Sequence, residues 1–440
     1  MQRVLILGAG LVARPLVRYL LEHPDFCVTV ASRTVSKAQQ MIAGHRQGQA
    51  IALDMANDDR LDLLVEEHDL AVSLLPSTHH VRVAQSCIAH GKHMVTTSYV
   101  SEAMRALDGA AKEAGIIILN EIGVDPGIDH MAAMKIIHRV QAAGGEITSF
   151  TSWCGGLPAP EANSNPLGYK FSWSPRGVIA AGRSAARFLR DGQEVFISGE
   201  ELFDHYWMAP IEGLGDFEGY PNRNSLPYME TYGIPTTRGM FRGTLRNEGW
   251  CATLKKLGEL GLFSDEERHD LTGLTFRELS VRLVGSRGDR LEADLAAYLG
   301  IEPDAQVMSN LAWLGLWSDE PLPAGRRTLL GVLAARMLQK MSYEPGERDM
   351  LILQHEFLAQ YPDGQERITS TLIDFGIPYG DSSMSRTVGL PAAIGVKMVL
   401  QGQIAARGVL TPVLPEIYEP ALAELEELGI RCVEKSEVLA

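Results

Sequence analysis

The first 120 residues alternate short apolar runs with stretches of helical periodicity. The run RVLIL at 3–7 is followed by the turn GAG and by LVARPLVRYLLEH, in which apolar residues recur at helical spacing. Five further strand-like runs follow: 28–33 (VTVASR), 50–54 (AIALD), 70–76 (LAVSLLP), 93–98 (HMVTTS) and 116–121 (IIILNE). Strands that alternate with helices predict an α/β fold built on a parallel sheet.

The first strand ends in a glycine pattern typical of nucleotide-binding turns. Gly8 permits the tight turn, Gly10 lets the backbone approach a pyrophosphate, and Ala13 lets the helix pack on the strand. The helix N-terminus would present its N–H groups to that pyrophosphate. A turn without a ligand can show the same residues, but the strands that follow favour a Rossmann-type, doubly wound dinucleotide-binding domain.

The end of the second strand bears on the choice of cofactor. An acidic residue there would accept hydrogen bonds from the adenosine ribose, whereas a 2′-phosphate needs donors and positive charge. The sequence has Ser32, Arg33 and Thr34 at this place, which predicts NADP(H) as the cofactor. The alternative is that Arg33 stacks on adenine or faces solvent.

Polar and small residues follow the other predicted strands. Because ligands bind beyond the carboxyl ends of parallel strands, these positions are candidates for a ligand-binding edge. They are Asp54, Leu75, Pro76, Thr97, Ser98 and Tyr99. Any one of them could be ordinary loop chemistry, and it is the set that indicates a site.

The pattern changes beyond residue 121. EITSFTSWCGG at 146–156 alternates like a strand of a different sheet, 250–345 is helical in pattern, and Pro362-Asp363-Gly364 separates two alternating runs as in a hairpin that rejoins the second sheet. The helical segments at 387–402 and 415–429 are expected to pack on the first domain. We therefore expect an α+β substrate domain and a small all-α insertion beside the nucleotide domain. The predicted domains are 1–124 completed by 386–440 (NADP-binding), 125–250 plus 346–385 (substrate-binding) and 251–345 (helical).

Composition excludes several classes of protein. The formal net charge of −15, without clustered Lys and Arg, argues against nucleic-acid binding. The five cysteines are scattered and form no CxxC, so neither a disulfide framework nor a metal site is predicted. The first strand starts at residue 3, and no apolar run approaches the roughly 20 residues of a membrane helix. We expect a cytoplasmic protein that binds neither a metal nor a membrane.

Several motifs resemble those of one enzyme family over nearly the whole chain. They are LILGAGLVARPL, VASRT, VSLLPSTHH, TTSYVS, NEIGVDPGIDHM, SWCGGLPAPEANSNPLGYKFSWSPRGV, FRGTLR with the following GWC, and VGLPAAIGVKMVL. In these motifs the sequence resembles the saccharopine reductases, the glutamate-forming saccharopine dehydrogenases of lysine metabolism. One departure is Asn224, which stands where the resemblance leads us to expect an aspartate.

The resemblance implies that NADP(H) reduces the imine formed by glutamate and 2-aminoadipate 6-semialdehyde to saccharopine, or the reverse. The cofactor-binding residues that it implies are Gly8, Gly10, Leu11, Val12, Ser32, Arg33, Thr34, Asp54, Leu75, Pro76, Thr97, Ser98, Val124 and Asp125. The substrate-binding residues that it implies are Ser98, Tyr99, Asp125, Arg223, Gly243, Thr244, Leu245 and Arg246.

The substrate's chemistry agrees with this set. Saccharopine carries three carboxylates, which suit bidentate cations, and Arg223 and Arg246 are expected in polar, glycine-containing loops outside the nucleotide domain. Either arginine could instead lie on the surface. The loop at 163–177, with Tyr169 and Lys170, is interpreted either as a lid or as a domain boundary.

Three residues are candidates for the chemical step. Tyr99 could donate to a substrate carboxylate or a leaving hydroxyl, and Asp125 could stabilise the iminium or relay a proton. Cys154, in a strand-end segment, could contact the reacting amine. Cys154 could equally be an inert packed thiol.

The histidines are given structural roles. His79 and His80, which open a helix after the fourth strand, are expected to be caps or nucleotide-loop residues. His130 and His138 lie two turns apart on one helix without a third ligand, so they do not predict a metal site.

Three functions are compatible with the sequence. The first is saccharopine reductase, acting as a homodimer on small-molecule substrates. The second is a carboxy-polyamine dehydrogenase, which also reduces an imine but needs fewer carboxylate anchors. The third is an NADP-sensing protein without turnover.

Overall fold

The computed structural model of the protein describes residues 1–56 and 58–439. Its Cα atoms group into two compact units. The first unit contains Met1–Ile147 and Leu358–Ala440, and the second contains Thr148–Phe357. The first unit is thus assembled from two separate segments of the chain.

The strands of both units are numbered in chain order. They are β1 Gln2–Leu7, β2 Phe26–Ser32, β3 Gly48–Ala52, β4 Leu70–Ser73, β5 His93–Thr96, β6 Ile117–Leu119, β7 Glu146–Pro158, β8 Ala186–Arg190, β9 Gln193–Ile197, β10 Trp207–Ile211, β11 Gly215–Pro221, β12 Gly239–Arg246, β13 Asp349–Tyr361, β14 Gly364–Phe375, β15 Gly408–Leu410 and β16 Val433–Leu439.

The α-helices follow the same convention. They are α1 Ala13–Glu22, α2 Val35–Ile42, α3 Asp58–Glu66, α4 His80–Ala89, α5 Glu102–Arg105, α6 Asp108–Glu113, α7 Ile128–Ala142, α8 Pro175–Ala181, α9 Pro227–Thr231, α10 Trp250–Glu259, α11 Phe276–Val284, α12 Leu291–Leu299, α13 Gln306–Leu314, α14 Leu329–Lys340, α15 Ser383–Leu400 and α16 Pro415–Glu427.

The first unit is built on a parallel sheet with the strand order β15-β6-β5-β4-β1-β2-β3. Every pairing in it is parallel, and the predicted α/β, doubly wound fold is confirmed. β1 lies between β2 and β4, so the chain reverses its direction of travel across the sheet at β1. This switch point is where open α/β sheets bind their ligands.

The sequence did not predict the seventh strand of this sheet. The sequence pattern predicts helices at 387–402 and 415–429, and α15 and α16 do lie in the first unit. Between them, however, β15 pairs with β6. β15 has only three residues, too few to give a period of its own.

α15 packs closely on α1. Both helices have apolar faces in the core, with Leu16 and Val17 of α1 fully buried. A Cβ atom at Gly389 of α15 would lie 2.8 Å from the carbonyl oxygen of Val12. Glycine therefore allows α15 to approach the backbone at the start of α1.

The second unit contains a mixed sheet and a group of helices. Its strands lie in the order β10-β11-β12-β7-β13, with β8 and β9 as an extra hairpin beside β12. β12 runs parallel to β7 and antiparallel to β11. Helices α10 to α14 occupy the segment that the sequence pattern predicts to be helical.

The predicted hairpin at 362–364 is present. β13 and β14 are joined by a two-residue turn at Pro362 and Asp363, and β14 pairs with β16 antiparallel in the first unit. The division into three functional domains remains a prediction.

Candidate active site

The turn after β1 has the backbone that its glycines predict. Gly8 has a φ of +113°, and a Cβ atom there would lie 3.0 Å from the carbonyl oxygen of Leu74, just after β4. A Cβ at Gly10 would meet nothing within 4 Å, so the turn is open on that side. Leu11 is 67% exposed, and Val12 occupies the N-cap position of α1 without a side-chain cap. The first-turn N–H groups of α1 are thus arranged to receive an anion.

The segment after β2 fits a phosphate-bearing ligand. The hydroxyl oxygen of Ser32 accepts from the backbone N–H of Thr34 at 3.2 Å, which shapes the turn. Arg33 is exposed and makes no hydrogen bond or ion pair with any residue in the ranges 1–56 and 58–439. Its guanidinium group is therefore available to a 2′-phosphate. Asp54 caps the turn after β3 by accepting from the N–H of Ala56 at 3.0 Å.

The segments after β4 and β5 lie beside the glycine turn, because β4 neighbours β1 and β5 neighbours β4. Leu75 is half-buried, Pro76 is exposed and Thr97 is half-buried. The structure thus brings the predicted cofactor-binding residues of the first unit to one edge of the sheet. That they bind NADP(H) remains a prediction residue by residue.

Ser98 is held by a histidine to which the sequence assigned only a capping or loop role. The Nε2 atom of His80 lies 2.8 Å from the hydroxyl oxygen of Ser98, and its Nδ1 atom lies 2.8 Å from that of Ser73. His80 is buried at 4% exposure. The backbone oxygen of Ser98 accepts from the N–H of Glu121 at 3.2 Å.

Tyr99 and Asp125 form a direct pair. The phenol of Tyr99 donates to Oδ1 of Asp125 at 2.7 Å, and both side chains are half-buried. The preceding residue, Val124, is buried. Two of the three candidates for the chemical step are therefore in hydrogen-bond contact within the first unit.

Two buried side chains, Glu121 and His130, connect the segment that carries Tyr99 to α7. Glu121 adopts a left-handed backbone with a φ of +56°. Its Oε1 accepts from the N–H of Val100 at 2.8 Å, and its Oε2 lies 2.7 Å from Nε2 of His130. His130 is fully buried on α7. Glu121 thus links α7 to the segment that carries Tyr99, and the sequence pattern gave no signal of this link.

In the second unit, Arg246 is a buried cation. It is the last residue of β12 and is 5% exposed, so its predicted place in a polar loop is wrong. Nη1 donates to the carbonyl of Leu245 at 2.7 Å, while Nε has no hydrogen-bond partner among the described residues. Its guanidinium carbon lies 4.8 Å from the ring centre of Tyr169 and 5.4 Å from that of Trp250. Within the described ranges Arg246 has no acidic partner.

Cys154 lies one strand away from Arg246. β7 continues to Pro158, so Cys154 is within the strand and not at its end as predicted. It is directly opposite Thr244 on β12 and is half-buried. A Cβ atom at Gly243 would lie 2.3 Å from the ring of Trp153, so only glycine fits at that position. The predicted substrate segment 243–246 and Cys154 are therefore neighbours.

Arg223 lies in the predicted loop between β11 and α9. It is exposed and has a φ of +55°, in the left-handed region that residues other than glycine seldom adopt. Its carbonyl accepts from the N–H of Arg187 at 2.9 Å. Asn224, the departure from the family pattern, accepts from the N–H of Leu226 at 3.1 Å, so the amide oxygen caps the turn.

The loop at 163–177 is fixed at both ends of its aromatic segment. Tyr169 is fully buried and packs on Trp250, with ring centres 4.8 Å apart. Lys170 donates to both carboxylate oxygens of Glu347 at 2.6 Å. Further along, Arg176 contacts Asp265 at 2.6 Å. Both interpretations of the loop at 163–177, as a lid and as a domain boundary, remain predictions.

Two further observations concern ligands and membranes. Among the described residues no group of three or more His, Cys, Asp or Glu side chains is placed to hold a metal ion. No helix within 1–56 and 58–439 has the length and apolar character needed to cross a bilayer.

Comparison with known proteins places these features in a family. Residues 4–119 match the model of the saccharopine dehydrogenase NADP binding domain, and 123–430 match that of the saccharopine dehydrogenase C-terminal domain. The chain is 44% identical to saccharopine dehydrogenase (NADP(+), L-glutamate-forming) of Pyricularia oryzae, with 98% of each protein covered. It is 38% identical to the mitochondrial alpha-aminoadipic semialdehyde synthase of Bos taurus, over 99% of this chain and 48% of that protein.

A solved structure agrees with the sequence relatives. The apo histidine-tagged saccharopine dehydrogenase (L-Glu forming) from Saccharomyces cerevisiae matches with a TM-score of 0.91 at 40% identity. The match covers 99% of this chain and 100% of that chain. The resemblance inferred from the motifs is confirmed.

Proposed function

Because the chain belongs to the saccharopine dehydrogenase family, we propose that it interconverts saccharopine with L-glutamate and 2-aminoadipate 6-semialdehyde in lysine metabolism, with NADP(H) as cofactor. The cofactor predicted from Arg33 agrees with the family model, which is that of an NADP-binding domain. The relatives with full-length matches carry the name of the NADP-dependent, L-glutamate-forming enzyme.

The observation that carries this proposal within the structure is the buried, unpaired guanidinium of Arg246. A buried charge is costly unless a partner of opposite charge is present. Glu218 lies opposite Arg246 on β11, but its carboxylate accepts from the N–H groups of Gly249 and Cys251. Among the described residues no carboxylate forms an ion pair with Arg246, and its Nε remains without a hydrogen bond. A substrate carboxylate would supply both the charge and the acceptor.

The first unit provides the groups expected for work on an imine. NADPH supplies the hydride that reduces the carbon–nitrogen double bond. The carboxylate of Asp125 is suited to stabilise a positively charged iminium, and the phenol of Tyr99, which it accepts from, is held in one orientation. Free carboxyl and phenol groups titrate far from neutrality, whereas general acid–base catalysis works best with a group whose pKa is near the operating pH. We propose that the amine of the substrate takes part in the proton transfers.

Two accompanying proposals concern the state of the protein in the cell. We propose a cytoplasmic location, as expected from the sequence analysis. We also propose a homodimer. Sedimentation analysis at several protein concentrations tests the second proposal, and a monomer at all of them would contradict it.

The decisive experiment is a coupled pair of spectrophotometric assays. NADPH oxidation is followed with glutamate plus the semialdehyde, and NADP+ reduction is followed with saccharopine. We expect both reactions, with NADH and NAD+ much weaker. Turnover with a diamine in place of glutamate would indicate a carboxy-polyamine dehydrogenase instead. NADPH binding without any turnover would indicate an NADP-sensing protein.

A further inference from the structure

Three side chains at the ends of β4 and β5 form a chain of hydrogen bonds. Ser73 is the last residue of β4, His80 is the first residue of α4, and Ser98 follows β5 by two residues. The hydroxyl oxygens of both serines lie 2.8 Å from the two ring nitrogens of His80, with Ser73 on Nδ1 and Ser98 on Nε2. Ser73 is fully buried, whereas Ser98 is half-buried and so reaches the surface of the first unit.

The imidazole of His80 is neutral at physiological pH. Burial, together with the neighbouring His79, lowers the pKa of His80 to about 4. A neutral imidazole carries one N–H donor and one acceptor nitrogen. The chain of hydrogen bonds therefore runs in one of two directions. Either Ser73 donates to His80 and His80 donates to Ser98, or both bonds are reversed.

The burial of Ser73 decides the direction. Among the described residues His80 is the only hydrogen-bond partner of the Ser73 side chain. If His80 donated to Ser73, the hydroxyl proton of Ser73 would be buried without an acceptor, which is unfavourable because the proton would also lose its hydrogen bond to water. Ser73 therefore donates to Nδ1, and the ring proton is on Nε2 and points to the oxygen of Ser98. This leaves the hydroxyl proton of Ser98 without an acceptor in the part of the chain that the structure describes.

We propose that His80 is a positioning residue that commits the hydroxyl of Ser98 to donate to an acceptor oxygen of the bound ligand. The ligand group is then a carboxylate of the amino-acid substrate or the carboxamide oxygen of the cofactor, and not the substrate's ammonium group. The assignment of Ser98 to a ligand rests on the proposed function. The direction of the hydrogen bonds does not.

The first test observes the tautomer of His80 directly. The protein is labelled with 15N-histidine, and two-bond proton–nitrogen correlations distinguish protonated from unprotonated ring nitrogens. The signal of His80 is assigned among the 12 histidines by its loss in His80→Gln. We expect a proton on Nε2 and none on Nδ1 in the wild-type protein. A proton on Nδ1, or on both nitrogens at pH 7, would overturn the proposal.

The second test uses a matched pair of variants. The amide nitrogen of glutamine can occupy the place of Nε2, whereas asparagine is one methylene shorter and reaches only the place of Nδ1. We expect His80→Asn to lower kcat/KM for saccharopine about tenfold, the effect of one lost hydrogen bond. His80→Gln should recover most of this loss. Circular dichroism and thermal unfolding check that both variants are folded.

A double-mutant cycle with Ser98→Ala separates positioning from a general structural role. If His80 acts through Ser98, His80→Asn should change kcat/KM less than about twofold in the Ser98→Ala background. Separate titrations with NADPH and with saccharopine identify the ligand whose acceptor oxygen is lost. An equal loss from His80→Asn in both backgrounds would refute the proposal. If the wild-type protein does not oxidise saccharopine, the proposed function fails while the tautomer still reports on the hydrogen-bond direction.

Discussion

Replacement of Arg246 by methionine should separate ligand binding from stability. Methionine keeps an unbranched apolar side chain against the rings of Tyr169 and Trp250 but removes the charge. In the ligand-free protein the replacement removes the hydrogen bond to the carbonyl of Leu245, which destabilises the fold. It also removes a buried charge that has no ion-pair partner among the described residues, which stabilises the fold, so the two effects offset each other. We therefore expect the free energy of unfolding without ligand to change by less than about 1 kcal/mol.

Saccharopine binding should instead weaken strongly. A hydrogen bond to a charged group contributes about 1.5–3 kcal/mol, so the dissociation constant should rise about tenfold to a hundredfold. At a saccharopine concentration of about 100 times the wild-type constant, the ligand stabilises the wild-type protein by about 2.7 kcal/mol. The same concentration would stabilise Arg246→Met by only about 0.4–1.4 kcal/mol. Thermal unfolding with and without saccharopine measures both the stability of the ligand-free protein and its stabilisation by saccharopine.

Arg336 offers a matched control in the same unit. It is 3% exposed, but it makes two hydrogen bonds to Glu320, at 2.6 and 2.9 Å, and donates from Nε to the carbonyl of Leu314. Arg336→Met should lower the melting temperature and leave saccharopine affinity unchanged. The reasoning would be refuted if Arg246→Met behaved like this control, or if it weakened NADPH binding and kept saccharopine binding.

The other predictions concern the cofactor and the chemical step. Arg33→Ala should raise the KM for NADPH about tenfold to a hundredfold and leave that for NADH nearly unchanged; equal losses for both cofactors would contradict a 2′-phosphate contact. Gly389→Ala should lower the melting temperature and NADPH affinity, measured by fluorescence titration, because its Cβ would lie 2.8 Å from a carbonyl oxygen at the start of α1. A melting temperature and an NADPH affinity equal to those of the wild-type protein would contradict the close packing of α15 on α1. Asp125→Ala, Tyr99→Phe and Cys154→Ser should each lower kcat about tenfold to a hundredfold, and a loss beyond about 10⁴ in one folded variant would identify a single dominant catalyst.

The parallel sheet was predictable because its signals are local. Each buried strand is a short apolar run, and each run precedes a stretch of helical period. The glycine turn after β1 is also local, since the positive φ of Gly8 depends on the residue itself. The sequence pattern overestimates strand length where the run assigned to a strand continues past the last paired residue. β5, for example, ends at Thr96, and this leaves Ser98 in a loop.

The contacts inside the candidate site were not predictable in the same way. His80 stands at the start of a helix, where the sequence suggests a cap or a nucleotide-loop residue, and its partner Ser98 is distant in sequence. They meet because β4 and β5 are adjacent, which only the sheet order reveals. Arg246 was misplaced for a related reason. The residues around it are polar or glycine, as in a loop, but the pairing of β12 with β7 and β11 makes the segment a buried strand.

The two-segment construction of the first unit determines the order in which the protein can fold on the ribosome. Domains generally fold as they emerge, N-terminal parts first. Here β1 to β6 emerge early, but β6 stays an open sheet edge and α1 stays uncovered until β15 and α15 arrive from the other end of the chain. The whole of Thr148–Phe357 is synthesised in between. Synthesis of the first unit therefore begins before that of the second unit and ends after it. The second unit, in contrast, is one continuous segment of the chain and leaves the ribosome without interruption.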